Sequence, residues 1–233
     1  MLEIYSAAEL FNGPNTRFNA EVTARLEIKG YKVFSPQRDG FEFTFLQNAL
    51  AEFFPSEKIE EAVRKIIYCR DITSINKSDV VIARMDEPQD PGVISEIAAA
   101  QVLGVPVIAY RTDTRSPYGS IIDTFGGMHT FSIESSLTLI RVIMQSRTLD
   151  ESETDLDNLI NLLDRELIKI RKKSTNQNFP GHSENIQKVL DIGRVLFDGI
   201  DNVNSQDSLK EIAKRYLENS RQMDKFGPRV IKN

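Results

Sequence analysis

The run VVIA at residues 80–83 limits the architecture of this chain more than any other feature. Its side chains are apolar without alternation, which suits a strand covered on both faces in the middle of a parallel sheet. Neighbouring segments supply what such a sheet needs. An acidic loop and an apolar helical stretch lead from SDVVIARMD (78–86) to a second apolar strand, VPVIAY (105–110). Upstream, LEIYSAA (2–8) reads as a buried strand. Phe18, Val22, Leu26 and Ile28 then follow helical spacing, and Gly30 is placed to end that helix. YKVFSP (31–36) is a strand closed by a proline, and QRDGFEF after it reads as a polar and aromatic loop. Residues 43–54 and 56–70 are predicted helices separated by Pro55, with Ser56 as a cap. HTFSI (129–133) is the predicted fifth strand, followed by a helix at 134–147. Strand and helix alternate, which predicts an α/β fold with a parallel sheet flanked by helices on both faces.

The character changes after about residue 148, so we divide the chain into an α/β domain, 1–148, and a helical C-terminal extension, 149–233. LDESETDLD (149–157) has the composition of a linker. Leu156, Leu159, Ile160, Leu163, Leu167 and Ile170 then share one helical face. STNQNFPGHS interrupts the pattern, and two further helices are predicted, one around 186–197 and one at 207–220.

Composition removes several functional classes. The net charge of −5 argues against nucleic-acid binding driven by phosphate contacts. One cysteine, Cys69, and two histidines, His129 and His182, give neither a disulfide nor a zinc-ligand cluster, so no metal site is expected. The N-terminus lacks the basic flank and apolar core of a signal peptide, and no run is long enough to span a bilayer. A cytoplasmic location without membrane attachment is the expectation.

Ligands of open α/β sheets bind beyond the carboxyl ends of the strands, so the loops there are the place to look. One of them, DEPQDPG, leads into a helix carrying Glu96 near its start. An Asp-Pro-Gly before a helix is commonly a turn and a cap, and an acid in the first turns suits the helix dipole without any function. The position after the central strand favours chemistry instead. No GxGxxG, no GxxxxGK[ST] and no Gly-x-Ser-x-Gly elbow occurs, so dinucleotide, P-loop and serine-hydrolase readings have no support.

Taken in order, IYSAAELFN, VFSPQRDG, RDITSINKSDVVIARMD, DPGVISE and GVPVIAYRTD resemble the nucleoside 2-deoxyribosyltransferases over about residues 2–147. The spacing Asp90, Gly92, Glu96 is the most specific part. The resemblance implies a flavodoxin-like, Rossmann-like five-stranded parallel sheet. It implies base exchange between 2'-deoxyribonucleosides, with Glu96 as the nucleophile that forms a deoxyribosyl ester, Tyr5 holding its carboxylate and Asp71 protonating or hydrogen-bonding the leaving base. Asp90 and Gly92 would shape the sugar site, with Asp90 on the 5'-hydroxyl. Phe11 would stack on the base and Gln37 read its edge. Asp123 and Phe125 are the nearest counterparts of residues that a neighbouring subunit contributes in several members. No cofactor is implied, because nucleophile and acid are both side chains. The partners implied are small nucleosides and free nucleobases, together with further copies of the chain in a homo-oligomer, and the biological setting implied is nucleoside salvage. A carboxylate at Asp90 would repel a 5'-phosphate, which favours nucleosides over nucleotides. Val93, Ile94 and Ser95 depart from the family pattern around the acid, which leaves base preference open. Two alternatives stand beside transfer. One is hydrolysis of the same ester by water, as in a deoxynucleoside or deoxynucleotide N-glycosidase. The other is a non-catalytic nucleoside-binding module that signals through the helical tail.

Overall fold

The computed structural model describes residues 1–115, 129, 132–133, 135–172 and 184–220. In chain order the elements are β1 (Glu3–Ala7), α1 (Gly13–Ile28), β2 (Lys32–Phe34), α2 (Pro36–Asp39), α3 (Phe43–Ala51), α4 (Ser56–Lys77), β3 (Val80–Arg84), α5 (Pro91–Leu103), β4 (Val107–Arg111), β5 (Thr138–Arg141), α6 (Leu149–Lys172), α7 (Glu184–Phe197) and α8 (Gln206–Glu218). The five strands form one sheet in the order β2-β1-β3-β4-β5, and every neighbouring pair is parallel. That order is the flavodoxin-like doubly wound arrangement, with its switch point between β1 and β3.

Contacts group the residues into two compact bodies. The first holds residues 1–37 and the described residues from 75 to 172, and so contains the whole sheet. Along each strand, alternate side chains go to opposite faces. Ile4, Val33, Val80, Ile82, Ile108 and Tyr110 go to one face, where Val22 and Leu26 of α1 and the apolar stripe of α6 join them in a single core. The six α6 residues named above are all at most 6% exposed, from Leu156 to Ile170. Polar contacts fasten α6 to α1 at the rim of this core: Arg25 pairs with Glu153 and Asp157, and Lys29 with Asp164 at 3.1 Å. The opposite face carries Tyr5 and receives α5, which packs on β1, β3 and β4.

Three local expectations are corrected. The fifth strand is not HTFSI: Ser132 and Ile133 are helical, and β5 lies at Thr138–Arg141, inside the stretch predicted as a helix. Apolar residues at 137, 139, 140, 143 and 144 satisfy helical spacing as well as strand alternation, and a short run leaves the two periods undecided. The open edge of β4 decides it, pairing Ile108 with Thr138 and Tyr110 with Ile140. Next, LDESETDLD is no linker but the start of α6. Thr148 Oγ1 accepts from Glu151 N at 3.2 Å, and Glu151 Oε2 accepts from Arg147 N at 2.6 Å. Acids in this first turn suit the dipole. Finally, the loop QRDGFEF begins with a helical turn, α2, and α4 runs on through ITSINK to Lys77.

The second body holds residues 38–74 and the described residues from 184 onward. Helix α3 packs on α8, and Phe54 meets Tyr216 edge to face at 5.6 Å. Cys69 on α4 is fully buried, and burial pushes its thiol up to about 12. No helix among the described residues is long and apolar enough to cross a membrane.

Candidate active site

Tyr5 sits in the middle of β1, fully buried, its ring stacked on Phe34 of β2 at 5.4 Å. Its hydroxyl donates to Glu96 Oε1 at 2.6 Å. Two features bring Glu96 to this phenol. The first is a row of alanines on the Tyr5 face, Ala7, Ala83 and Ala109, which lie side by side across β1, β3 and β4 and are all fully buried. Side chains this small let a helix approach the sheet closely. The second is the start of α5. Asp90 is its N-cap, with Oδ1 accepting from Val93 N at 3.0 Å, and Pro91 follows at the first helical position. Gly92 is required by that cap, because a β-carbon there would stand 2.8 Å from Asp90 Oδ1. The Asp-x-Gly spacing thus has a local cause: the acid turns back over the helix start, and only glycine leaves it room. Asp90 Oδ2 has no partner among the described residues, so it can accept a bond from a ligand hydroxyl.

The loops after β3 and β4 are tied together by residues that the motif reading did not single out. Asp86 Oδ1 accepts from Thr112 N at 2.6 Å and from Asp113 N at 3.0 Å, while its Oδ2 takes Thr112 Oγ1 at 2.6 Å and Arg84 Nε at 2.7 Å. Burial raises the Asp86 carboxyl's proton affinity, but Arg84 and Thr112 outweigh it and hold the group below the usual carboxylate range. Arg84 in turn lies over the Phe18 ring at 4.4 Å. Arg111, fully buried, pairs with Asp113 at 2.7 Å, and Asp113 Oδ2 accepts from Glu87 N at 2.8 Å. This lattice fixes the acidic loop from both sides and sets where Asp90 begins its helix. The acids at 86 and 113 were visible in MDEP and YRTD, but nothing local marked them as partners.

The loop after β1 is organised by Glu9, another residue the sequence reading passed over. Its carboxylate accepts from Asn12 Nδ2 at 3.0 Å and Asn15 Nδ2 at 2.6 Å, and its carbonyl accepts from Asn19 at 2.9 Å. Phe11 stands on this loop, 79% exposed and open to stacking. Gln37 is turned toward α1: its Nε2 donates to Thr16 O at 2.9 Å and its Oε1 faces Asn19 at 3.5 Å.

Within the second body, Asp71 is a half-buried residue of α4 rather than of the loop after it. Burial raises its carboxyl to about 7 although Arg70 beside it opposes the shift. Asp123 and Phe125 lie outside the described residues. No group of three or more histidine, cysteine or acidic side chains capable of holding a metal occurs among the described residues.

No curated protein matches the chain in sequence. Among solved structures, the chain is similar to a 2-deoxyribosyltransferase of Bacillus psychrosaccharolyticus, at 21% identity and a TM-score of 0.41, over 66% of this chain and 90% of that one. It is also similar to a CMP N-glycosidase of Clostridium botulinum, at 15% identity and a TM-score of 0.39, over 70% of this chain and 98% of that one. A family model described as nucleoside 2-deoxyribosyltransferase matches residues 4–135, more than half of the chain and the span that holds Tyr5, Asp90, Gly92 and Glu96. The chain therefore belongs to the nucleoside 2-deoxyribosyltransferase family.

Proposed function

We propose that this protein exchanges the base of 2'-deoxyribonucleosides through a covalent ester on Glu96. The observation that carries this reading is the Tyr5 to Glu96 hydrogen bond, which fixes one carboxylate oxygen and orients the other. Family membership supports an enzyme that transfers or hydrolyses a glycosyl group at a nucleoside.

In the first step a Glu96 oxygen attacks the anomeric carbon. The C–N bond breaks, and its electron pair leaves with the base, which takes a proton from an acid. A carboxylate suits the oxocarbenium-like transition state because it is anionic where positive charge develops. In the second step a nitrogen of the incoming base attacks the same carbon from the face the first base left. The ester C–O bond breaks, Glu96 returns as a carboxylate, and configuration is retained. Tyr5 steadies the carboxylate through both steps.

For Asp71 the support is chemical rather than positional. A carboxyl with a proton affinity near 7 is half protonated at neutral pH and can both give and take a proton, as the two steps demand. Asp90 has one oxygen committed to its cap and one that can receive the 5'-hydroxyl. Its charge disfavours a phosphate at that position.

The test is chromatography of the protein with thymidine, deoxyinosine or deoxycytidine and free adenine, with Glu96→Ala as control. Deoxyadenosine formed by the intact protein and absent with the variant is the expected result. Free deoxyribose and base without a new nucleoside would replace transfer by hydrolysis. Binding without turnover of any nucleoside or deoxynucleotide would leave only the binding module.

A further inference from the structure

Asn19 of α1 is 2% exposed. Its amide joins the segments that follow β1 and β2, neighbouring parallel strands whose carboxyl ends lie on the ligand side of such a sheet. Nδ2 donates to Glu9 O at 2.9 Å and faces Gln37 Oε1 at 3.5 Å. Gln37 Nε2 donates in turn to Thr16 O at 2.9 Å. Asn19 Oδ1 is buried and has no hydrogen-bond partner among the described residues. A buried acceptor without a partner costs stability. An apolar side chain of similar size would fill the space without that cost, so what Asn19 adds is its amino group. All of these residues belong to the first body.

Two backbone carbonyls thus dictate the polarity of the Gln37 amide. Glu9 O demands the amino side of Asn19, which sets a donor before Gln37 Oε1, and Thr16 O demands Gln37 Nε2. Turning the Gln37 amide by half a revolution would set oxygen against the Thr16 oxygen and amino group against amino group at Asn19. The Gln37 side chain is nevertheless exposed. A carboxamide has two N–H donors and an oxygen with two lone pairs. One N–H goes to Thr16, so the other N–H and one side of the oxygen remain for a ligand, in a fixed order.

We propose that Asn19, together with the Thr16 carbonyl, is a positioning residue that makes Gln37 a one-way reader of the base, so that the protein discriminates between nucleosides whose base carries an amino group and those that carry a carbonyl in its place. The assignment rests on the nucleoside reading proposed above and on Gln37 meeting the base edge.

The chemistry of the bases supplies the contrast. Adenine and cytosine present a bare ring nitrogen, an acceptor, beside an amino donor. Hypoxanthine and uracil present a ring N–H donor beside a carbonyl acceptor. The two orders are reversed. An amide free to rotate matches each in turn, whereas a pinned amide matches one and sets like against like with the other. A bidentate amide contact favours the right base over the wrong one by about tenfold or more.

The experiment is calorimetric binding of deoxyadenosine and deoxyinosine to the full-length Glu96→Ala protein, in which the nucleophile is absent and binding is read without turnover. The expected result is a ratio of about tenfold or more between the two Kd values. Asn19→Leu in the same background removes one of the two constraints and should shrink that ratio by about threefold. It should do so by improving the disfavoured nucleoside, whereas a merely structural loss would weaken both nucleosides alike and leave the ratio unchanged. Gln37→Met, at an exposed position, removes donor and acceptor and should bring the ratio close to unity. Equal Kd values in the Glu96→Ala protein overturn the proposal, as does an unchanged ratio in a folded Asn19→Leu protein. If Asn19→Leu does not fold, a ratio that survives Gln37→Met overturns it. Binding of neither nucleoside overturns both this proposal and the nucleoside reading. A retained ratio with no turnover by the wild type removes the enzyme and leaves Gln37 as the base reader of a binding module.

Discussion

Tyr5 and Glu96 stand 91 residues apart in sequence and 2.6 Å apart in space. A hydrogen bond to an ionised group is worth about 1.5–3 kcal/mol. Tyr5→Phe keeps the stacking on Phe34 and removes only the donor, so Tm should fall by several degrees and kcat/KM by about tenfold to a hundredfold. Equal activity in the Phe variant would take the phenol out of the site. Single residues were legible in unequal measure. Glu96 and Asp90 stood out because a motif with fixed spacing surrounds them, and Gly92 because the spacing includes it. Glu9, Asp86 and Asp113 escaped notice because an acid in a polar loop is unremarkable until its partners are known. For Asp86 those partners come from a strand end 26 residues away.

At the scale of elements, the start of α5 carries two opposed effects at one position. Gly92→Ala removes a poor helix former, which gains up to about 1 kcal/mol. The added carbon meets Asp90 Oδ1 at 2.8 Å and displaces the cap, which costs about 1 kcal/mol. The terms nearly cancel in stability, so Tm should change little while KM for deoxynucleosides rises as Asp90 is moved. Asp90→Ala has no compensating gain and should lower stability by about 1 kcal/mol as well as weaken binding. A steep loss of Tm in Gly92→Ala would mean that the helix start cannot adjust. Elements were legible where a continuous apolar run or a single period dominated, as in β1, β3, β4 and the long stripe of α6. They were misread where two periods fit, as at Thr138–Arg141, or where acid-rich composition outweighed a cap, as at Thr148. The Thr148-x-x-Glu151 pattern was in the sequence and marks a helix start.

For the whole molecule, the two bodies are each assembled from segments distant in the chain, a division set by long-range packing that no local pattern announces. Asp71 makes overall stability depend on pH. Its carboxyl has a folded value of about 7 against an unfolded one near 3.8, so the folded state binds the extra proton between those values. Well below pH 3.8 both states are protonated and the group costs nothing. Across the interval it destabilises the fold increasingly, and above pH 7 the penalty is constant. Asp71→Asn does not titrate, so its stability relative to wild type should rise between pH 4 and pH 7, by about 2 kcal/mol or more. Denaturant melts at several pH values will show it, and a flat difference would mean that the carboxyl is not raised. Burial acts on the neighbouring thiol in the same direction, with a practical consequence. Cys69 is the only cysteine of the chain, fully buried and with a thiol raised to about 12. The native protein should therefore ignore thiol reagents and release one equivalent on denaturation. A cysteine introduced at an exposed position would then be the sole reactive handle, and a fluorophore or spin label could be attached there without first editing the wild-type sequence.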